Sequence, residues 1–274
     1  MKILILGKNG MLGHDVLEEF HDYQCSALDI EELDITDKDK VTEIISKIKP
    51  DWVINCAAYT EVDNCETNQE HALKVNGEAA GYIAQACNKI NANLVHISTD
   101  YVFDGKNKNG YNEDDKKNPI NAYGESKSLG EDLIIKNMKK FSIVRTSWLF
   151  GTHGKNFVNS MINAPKNKDG LKIVDDQIGS PTYTKDLAIA FKKIVKEKKH
   201  GIFHVTNSGS CTWFQFADKI FEIMGKKVKL ASISSKDINR PAKRPAYSIL
   251  NNNKLDKLRN WEFALKDYLK ENFM

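Results

Sequence analysis

The sequence predicts an α/β fold, with a doubly wound parallel sheet and a smaller α/β unit at its C-terminal end. Strand and helix signals alternate through the first 150 residues, a glycine-rich turn joins the first strand to the first helix, and the second half loses the strict alternation. "KILIL" (2–6) is a continuous apolar run, as in a strand buried on both faces. "LGHDVLEEF" (12–20) has helical spacing, and "CSALD" (25–29) is a second strand. "DKDKVTEIISKI" (37–48) opens on an aspartate suited to cap a helix. "WVINCAA" (52–58) is the third strand, "NQEHALKVNGEAAGYIAQACNKI" (68–90) one long helix, and "NLVHIS" (93–98) the fourth strand. "YGESKSLGEDLIIKN" (123–137) and "FSIVRTS" (141–147) complete the alternation as helix and strand. Further on, residues 171–176, 201–207 and 227–233 read as strands, and 184–198, 212–224 and 263–273 as helices. Residues 234–250 form a polar, proline-punctuated loop.

The chain has 274 residues, 41% of them apolar, enough to bury a sizeable interior. The net charge of +3 is small and its lysines are scattered, against the concentrated basic face of a nucleic-acid binder. Five cysteines, with no CxxC pair, argue against a disulfide framework or a structural zinc site and fit a reducing cytoplasm. The start "MKILILGKNG" is too short in its apolar run for a signal peptide, and no stretch approaches the roughly 20 apolar residues of a membrane span. The expectation is a soluble, cytoplasmic protein without nucleic-acid or membrane partners.

The first strand runs into "GKNGMLG", giving Gly7, Gly10 and Gly13. Glycines there permit a tight turn and let the backbone approach a pyrophosphate, which the following helix faces with its free N–H groups. The second strand ends at Asp29, where a carboxylate accepts hydrogen bonds from an adenosine ribose and disfavours a 2′-phosphate. Lys8, inside the turn, works the other way, so NADH and NADPH both stand as candidate coenzymes. The expected fold is therefore Rossmann-type. Residues 1–150 would form the dinucleotide-binding domain, to which the chain returns around 183–207, and residues 151–274 the substrate-binding cap.

"NAYGESKSLGE" (121–131) sets Tyr123 and Lys127 at i and i+4, on one helical face. A phenol titrates near 10, and a neighbouring ammonium favours its ionised form. Such a pair is expected to lower the pKa of Tyr123 and let it give a proton to a carbonyl oxygen as hydride reaches the carbon. "HISTDYVFDG" (96–105) supplies Ser98 and Thr99 as hydroxyls at the end of the fourth strand. His96, on that strand, reads as a core histidine. Asp175 and Asp176 are adjacent strand residues that face opposite ways, and no metal is expected.

On these residues the chain resembles an extended short-chain dehydrogenase/reductase and, more narrowly, the dTDP-4-dehydrorhamnose reductase family. The resemblance is carried by "GKNGMLG", "NCAAYTEVDNCE", "KVN", "ISTDYVFDG", "INAYGESKSLGE", "IVRTSWLFG", "NFVNSMI", "DQIGSPTY" and "RPAKRPAYSIL", which together span nearly the whole chain. It implies reduction of the C4 keto group of dTDP-4-dehydro-L-rhamnose by NADPH or NADH, in polysaccharide biosynthesis, by a monomer or homodimer. It implies a catalytic set of Thr99, Tyr123 and Lys127, with Lys127 also holding the nicotinamide ribose. Gly10, Met11 and Leu12 would line the pyrophosphate, and Asp34 and Ile35 would flank the adenine. Ala57, Ala58 and Tyr59 would pass beneath the coenzyme, and Asn76 would brace the active-site helix. Thr99, Asp100 and Trp148 would contact the sugar, and Arg244 the nucleotide diphosphate.

Two other functions are compatible with this fold. One is a bifunctional epimerase/reductase, which would want a cysteine beside the strand-end hydroxyl; "STDYVF" has none, though Cys56 is near on the adjacent strand. The other is a non-catalytic nucleotide-binding subunit of a methionine adenosyltransferase, against which the intact Thr–Tyr–Lys set argues.

Overall fold

The alternating first half folds into one sheet. In the computed structural model, which describes residues 1–164 and 170–274, the strands are β1 (Lys2–Leu6), β2 (Gln24–Leu28), β3 (Trp52–Asn55), β4 (Asn93–Thr99) and β5 (Phe141–Thr146). Short strands follow: β6 (Leu149–Phe150), β7 (Leu171–Val174), β8 (Ile178–Gly179) and β9 (Thr182–Tyr183), then β10 (Gly201–His204), β11 (Cys211–Thr212) and β12 (Leu230–Ile233). The central sheet has the order β10-β5-β4-β3-β1-β2, and every pairing in it is parallel. The chain passes from β1 to β2 on one side, then returns to lay β3 on the other. This reversal opens a crevice beyond the carboxyl ends of β1 and β3.

Apolar residues on both faces explain the unbroken strand runs. Ile3 and Ile5 pack under α1 (Met11–Glu19) and α8 (Thr184–Glu197), while Leu4 and Leu6 pack on the opposite face. That face is covered by α2 (Lys38–Ile48), α5 (Ala79–Lys89) and α6 (Ala122–Asn137). Each such fully buried side chain contributes about 2 kcal/mol. A separate apolar cluster joins Phe150 and Tyr183 to α7 (Phe157–Ile162), α9 (Trp213–Ile223) and α10 (Trp261–Phe273). Beside it, β7 pairs with β12 and β8 with β11.

Two expected elements differ. β3 stops at Asn55, short of residue 58, because the Asn55 side chain accepts the Ala57 N–H at 3.1 Å and turns the chain. The long helix at 68–90 is interrupted. After a short α3 (Val62–Thr67), α4 (Gln69–Ala72) passes through a π turn (Leu73–Glu78) before α5. Gly77 faces α6 inside this turn, where a Cβ would come within 2.7 Å of Leu129. Asp175 and Asp176 lie just past β7 and tie loops together: Asp175 accepts from Thr212 and Ser232, Asp176 from Ser234 and Ser235. Among the described residues, no helix is long and apolar enough to cross a membrane.

Candidate active site

The glycine turn shows why side chains are absent from it. Gly7 has φ +80°, and a Cβ there would sit 2.6 Å from the Ala57 nitrogen. A Cβ on Gly13 would lie 1.9 Å from the Gly7 carbonyl oxygen, so α1 packs this closely against the turn only without one. Gly10 caps α1, and no side chain hydrogen-bonds to the helix end. The first N–H groups, Met11 and Leu12 among them, thus keep capacity for an anion.

A cleft of about 940 Å³, open to solvent, runs along this turn. Its walls include Gly7, Gly10, Asp29, Asp34, Ile35, Ala57, Ala58 and Tyr59. Asp29 accepts the N–H of Asn9 and of Ile30, both at 2.8 Å. Lys8 is paired with Glu32, a partner that the glycine motif did not reveal. Asp34 accepts the Thr36 N–H and hydroxyl, which hold its carboxyl below the usual range. The cradle, an uncapped helix end and two acids along the ribose side suit a dinucleotide.

Asn76, on the π turn, stitches this cleft to the next element. Its Oδ1 accepts the Tyr59 N–H at 2.8 Å, and its Nδ2 donates to the Tyr59 carbonyl at 2.9 Å and to the Ser126 hydroxyl at 3.0 Å. Ser126 sits on α6 between Tyr123 and Lys127 and donates in turn to the Tyr123 carbonyl. The loop under the cleft and the helix carrying the Tyr–Lys pair are therefore held by one buried amide. Wide helical turns of this kind often mark functional positions.

At the end of β4 the two candidate hydroxyls part ways, as successive strand residues must. Ser98 donates to Glu131 at 2.6 Å, inside a buried network where Arg145 grips both Glu131 oxygens at 2.9 and 2.7 Å. Thr99 faces the other way, donating to Asp100 at 2.9 Å and lying beside the Tyr123 phenol. Tyr123 and Tyr101 meet edge to face, 5.7 Å between ring centres.

The expected acidification of Tyr123 does not hold. Burial pushes its phenol up, and Asp100, Tyr101 and Cys65 add to that rise, with only the Thr99 hydroxyl opposing. Lys127, itself fully buried, donates to the Ile97 carbonyl at 2.6 Å, and burial brings it down to about 8 against the pull of Glu131. Asp100 is buried, with Oδ2 lacking a well-formed hydrogen bond, and burial pushes its carboxyl up to about 7. His96 is buried against Asn55 and kept neutral by that burial. Cys56, in the cleft wall, is pushed up to about 12 by burial, so it carries no thiolate at neutral pH.

The remaining candidates lie toward the C-terminal elements. Trp148 follows β5 with φ +47°, an unfavourable conformation for a non-glycine residue, and stacks on Trp213 at 3.5 Å. Arg244 lines a second cavity with Lys236, Arg240 and Lys243 and pairs with Asp63. Asn121 caps α6 through Gly124 and donates to the Lys243 carbonyl at 2.7 Å, joining that cavity to the Tyr–Lys helix. Sequence reasoning missed Glu131, although i+8 from Tyr123 places it on the same helical face. It also missed Asp63, for which no local signal exists.

Proteins of known family share this fold from end to end. The family model described as RmlD substrate binding domain matches residues 1–274. The dTDP-4-dehydrorhamnose reductase of Aggregatibacter actinomycetemcomitans is 42% identical over 286 aligned residues, covering 97% of each chain. A crystal structure of a dTDP-4-dehydrorhamnose reductase from Clostridium acetobutylicum has a TM-score of 0.97 at 42% identity and covers 100% of both chains. The Bacillus anthracis dTDP-4-dehydrorhamnose reductase, solved in complex with NADP, has a TM-score of 0.95 at 40% identity, covering 98% of this chain and 99% of that one. Matched from end to end by this model and these relatives, the chain belongs to the dTDP-4-dehydrorhamnose reductase family, within the extended short-chain dehydrogenases/reductases.

Proposed function

We propose that the protein reduces the C4 keto group of dTDP-4-dehydro-L-rhamnose to dTDP-L-rhamnose, with Tyr123 as proton donor. It is an NAD(P)H-dependent oxidoreductase of this family. The observation that carries the finer reading is the grouping of Thr99, Tyr123 and Asp100 around one buried point at the end of β4, with Lys127 a helical turn along α6. In this reading residues 1–150, with the return through 183–207, hold the coenzyme, and residues 151–274 cap the substrate.

Met11 and Leu12 would offer N–H groups to the pyrophosphate, Asp29 would accept from the adenosine ribose, and Asp34 and Ile35 would border the adenine. Ala57, Ala58 and Tyr59 floor the cleft, Asn76 fixes that floor, and Lys127 would hold the nicotinamide ribose. When bound, the reduced nicotinamide supplies hydride to the ketone carbon. Thr99 holds the carbonyl oxygen, and Tyr123 releases its proton to it as negative charge grows there. Reduction needs a protonated phenol, so a pKa raised by burial keeps the donor loaded at neutral pH. Lys127 is mostly charged at pH 7 and loses that charge as pH rises through about 8. Trp148 and Asp100 would border the sugar, and Arg244 would meet the diphosphate. The high pKa of Cys56 counts against an epimerising thiol.

The test follows coenzyme absorbance with dTDP-4-dehydro-L-rhamnose as substrate. Tyr123→Phe is expected to lower kcat about a thousandfold with coenzyme affinity unchanged. Turnover at the parent rate would overturn the proton-donor role. Coenzyme binding without turnover of any nucleotide ketosugar would favour a binding role instead.

A further inference from the structure

Arg244 has the end-on fork of its guanidinium already filled. Nη1 donates to Asp63 Oδ1 at 2.5 Å and to the Ala242 carbonyl at 2.7 Å, while Nη2 donates to Asp63 Oδ2 at 2.9 Å. Asp63 also accepts the Ala242 N–H at 3.2 Å. The pair is well covered on the arginine side, at 12% exposure, and less so at Asp63, at 38%. The guanidinium holds the Asp63 carboxyl below its usual range.

The surroundings make this pairing unusual. The cavity of about 310 Å³ at this loop, open to solvent, is lined by Lys236, Arg240, Lys243 and Arg244 among others. Among the described residues, Asp63 is the only carboxylate in an ion pair with any of these four cations. A carboxylate and a phosphate present the same two-oxygen edge to an arginine fork. Asp63 therefore occupies the position from which Arg244 would grip a phosphate with both end nitrogens.

We infer that Asp63 sets the affinity for the nucleotide part of the substrate. It fills the Arg244 fork in the free enzyme, and the substrate diphosphate takes the fork from it. The identity of the ligand as a nucleoside diphosphate sugar rests on the reductase reading above; the competition at Arg244 rests on the geometry. An uncompensated set of four cations would hold any phosphate compound, and the internal carboxylate weakens ligands too small to reach the other three as well. The competitor is tied to the reacting end of the molecule. Asp63 lies in the first turn of α3, which follows the Ala57–Tyr59 loop, and Glu66 on the same helix accepts the Ala122 N–H at the start of α6.

The experiment is calorimetric titration of the full chain with dTDP, which needs no turnover. Asp63→Asn is expected to bind dTDP about three- to fivefold more tightly than the parent, the scale of a part-exposed ion pair. The KM for the nucleotide sugar should fall by the same factor at unchanged kcat, while Asp63→Glu should bind like the parent. NADP affinity and thermal unfolding report whether the variants fold, and Asp63→Ser replaces Asp63→Asn if that variant does not. Unchanged or weaker dTDP binding in the neutral variant overturns the inference and makes Asp63 an orienting partner of Arg244. If the parent reduces the ketosugar and the variant shows no tightening, only this inference fails; if the parent does not bind dTDP at all, the substrate assignment fails with it.

Discussion

At the carboxyl end of β1 the glycine-turn wall of the cleft is backbone. Along the turn Gly7 and Gly10 contribute no side chain and Ala57 and Ala58 one carbon each, with main-chain N–H donors between them; the carboxylates of Asp29 and Asp34 stand further along the wall. At the cavity beside Arg244 the charged groups are the ends of long side chains, with Lys236, Arg240 and Lys243 exposed on a loop that has little secondary structure of its own. The first site is fixed when the sheet folds. The second depends on how rotamer-rich cations are paired, and Asp63 supplies that pairing from the other half of the chain. The two sites should therefore respond very differently to substitution.

Gly13→Ala tests the backbone-built side and carries the largest expected effect. Its Cβ would fall 1.9 Å from the Gly7 carbonyl, whereas at Gly10 the nearest atom is 3.3 Å away. Gly13→Ala should cost about 3 kcal/mol or more in urea unfolding and abolish coenzyme binding, while Gly10→Ala should cost under about 1 kcal/mol. Equal costs at the two positions would show that this wall yields more readily than the packing implies.

Asp100 lies beside Thr99 at the end of β4, and its burial gives a pH signature. Its carboxyl is raised to about 7 in the folded chain from 3.8, so the folded state holds a proton that the unfolded state gives up between those values. Stability contributed at this position is fullest at or below pH 4, falls as pH rises toward 7, and is flat above. Asp100→Asn should therefore gain up to about 4 kcal/mol over the parent at pH 8 and little at pH 4. Urea unfolding at both pH values measures it, and a pH-independent difference would place the carboxylate in a wetter setting than described. The smallest effect is expected on the side-chain-built wall. Lys243→Ala should raise the KM for the nucleotide sugar only about two- to threefold, less so in high salt, because the lysine is exposed and screened. A tenfold rise would mean that the loop is as firmly fixed as the glycine turn.

The same contrast decides what could be read from the sequence. Gly7, Gly10 and Gly13 were legible because a glycine turn between a strand and a helix is a local backbone requirement. Tyr123 and Lys127 were legible because helical spacing places them on one face. The ionisation of Tyr123 was misjudged because spacing conveys direction and not surroundings. Lys127 turns to the Ile97 carbonyl, and burial outweighs any attraction between the two side chains. The partners of Lys8 and Arg244 were invisible for a related reason. Glu32 lies across a turn, and Asp63 lies across the whole fold, with no motif joining either pair. The interruption at 73–78 also went unseen, since Leu, Val and Ala at helical spacing read alike whether the turn is tight or wide.

That wide turn has a bearing on how the chain tolerates change in length. A helix advances by about 100° per residue. Deleting one of residues 73–75 would let the segment relax to ordinary winding while the helices on either side stay nearly in phase, because a π turn holds one residue more than the α turn it replaces. Asn76, inside the turn, would nevertheless shift about the axis relative to both flanks and could no longer meet Tyr59 and Ser126 together, although no residue of the cleft or of α6 had been altered. The extra residue of that turn is thus what lets one amide reach the loop and the helix at once.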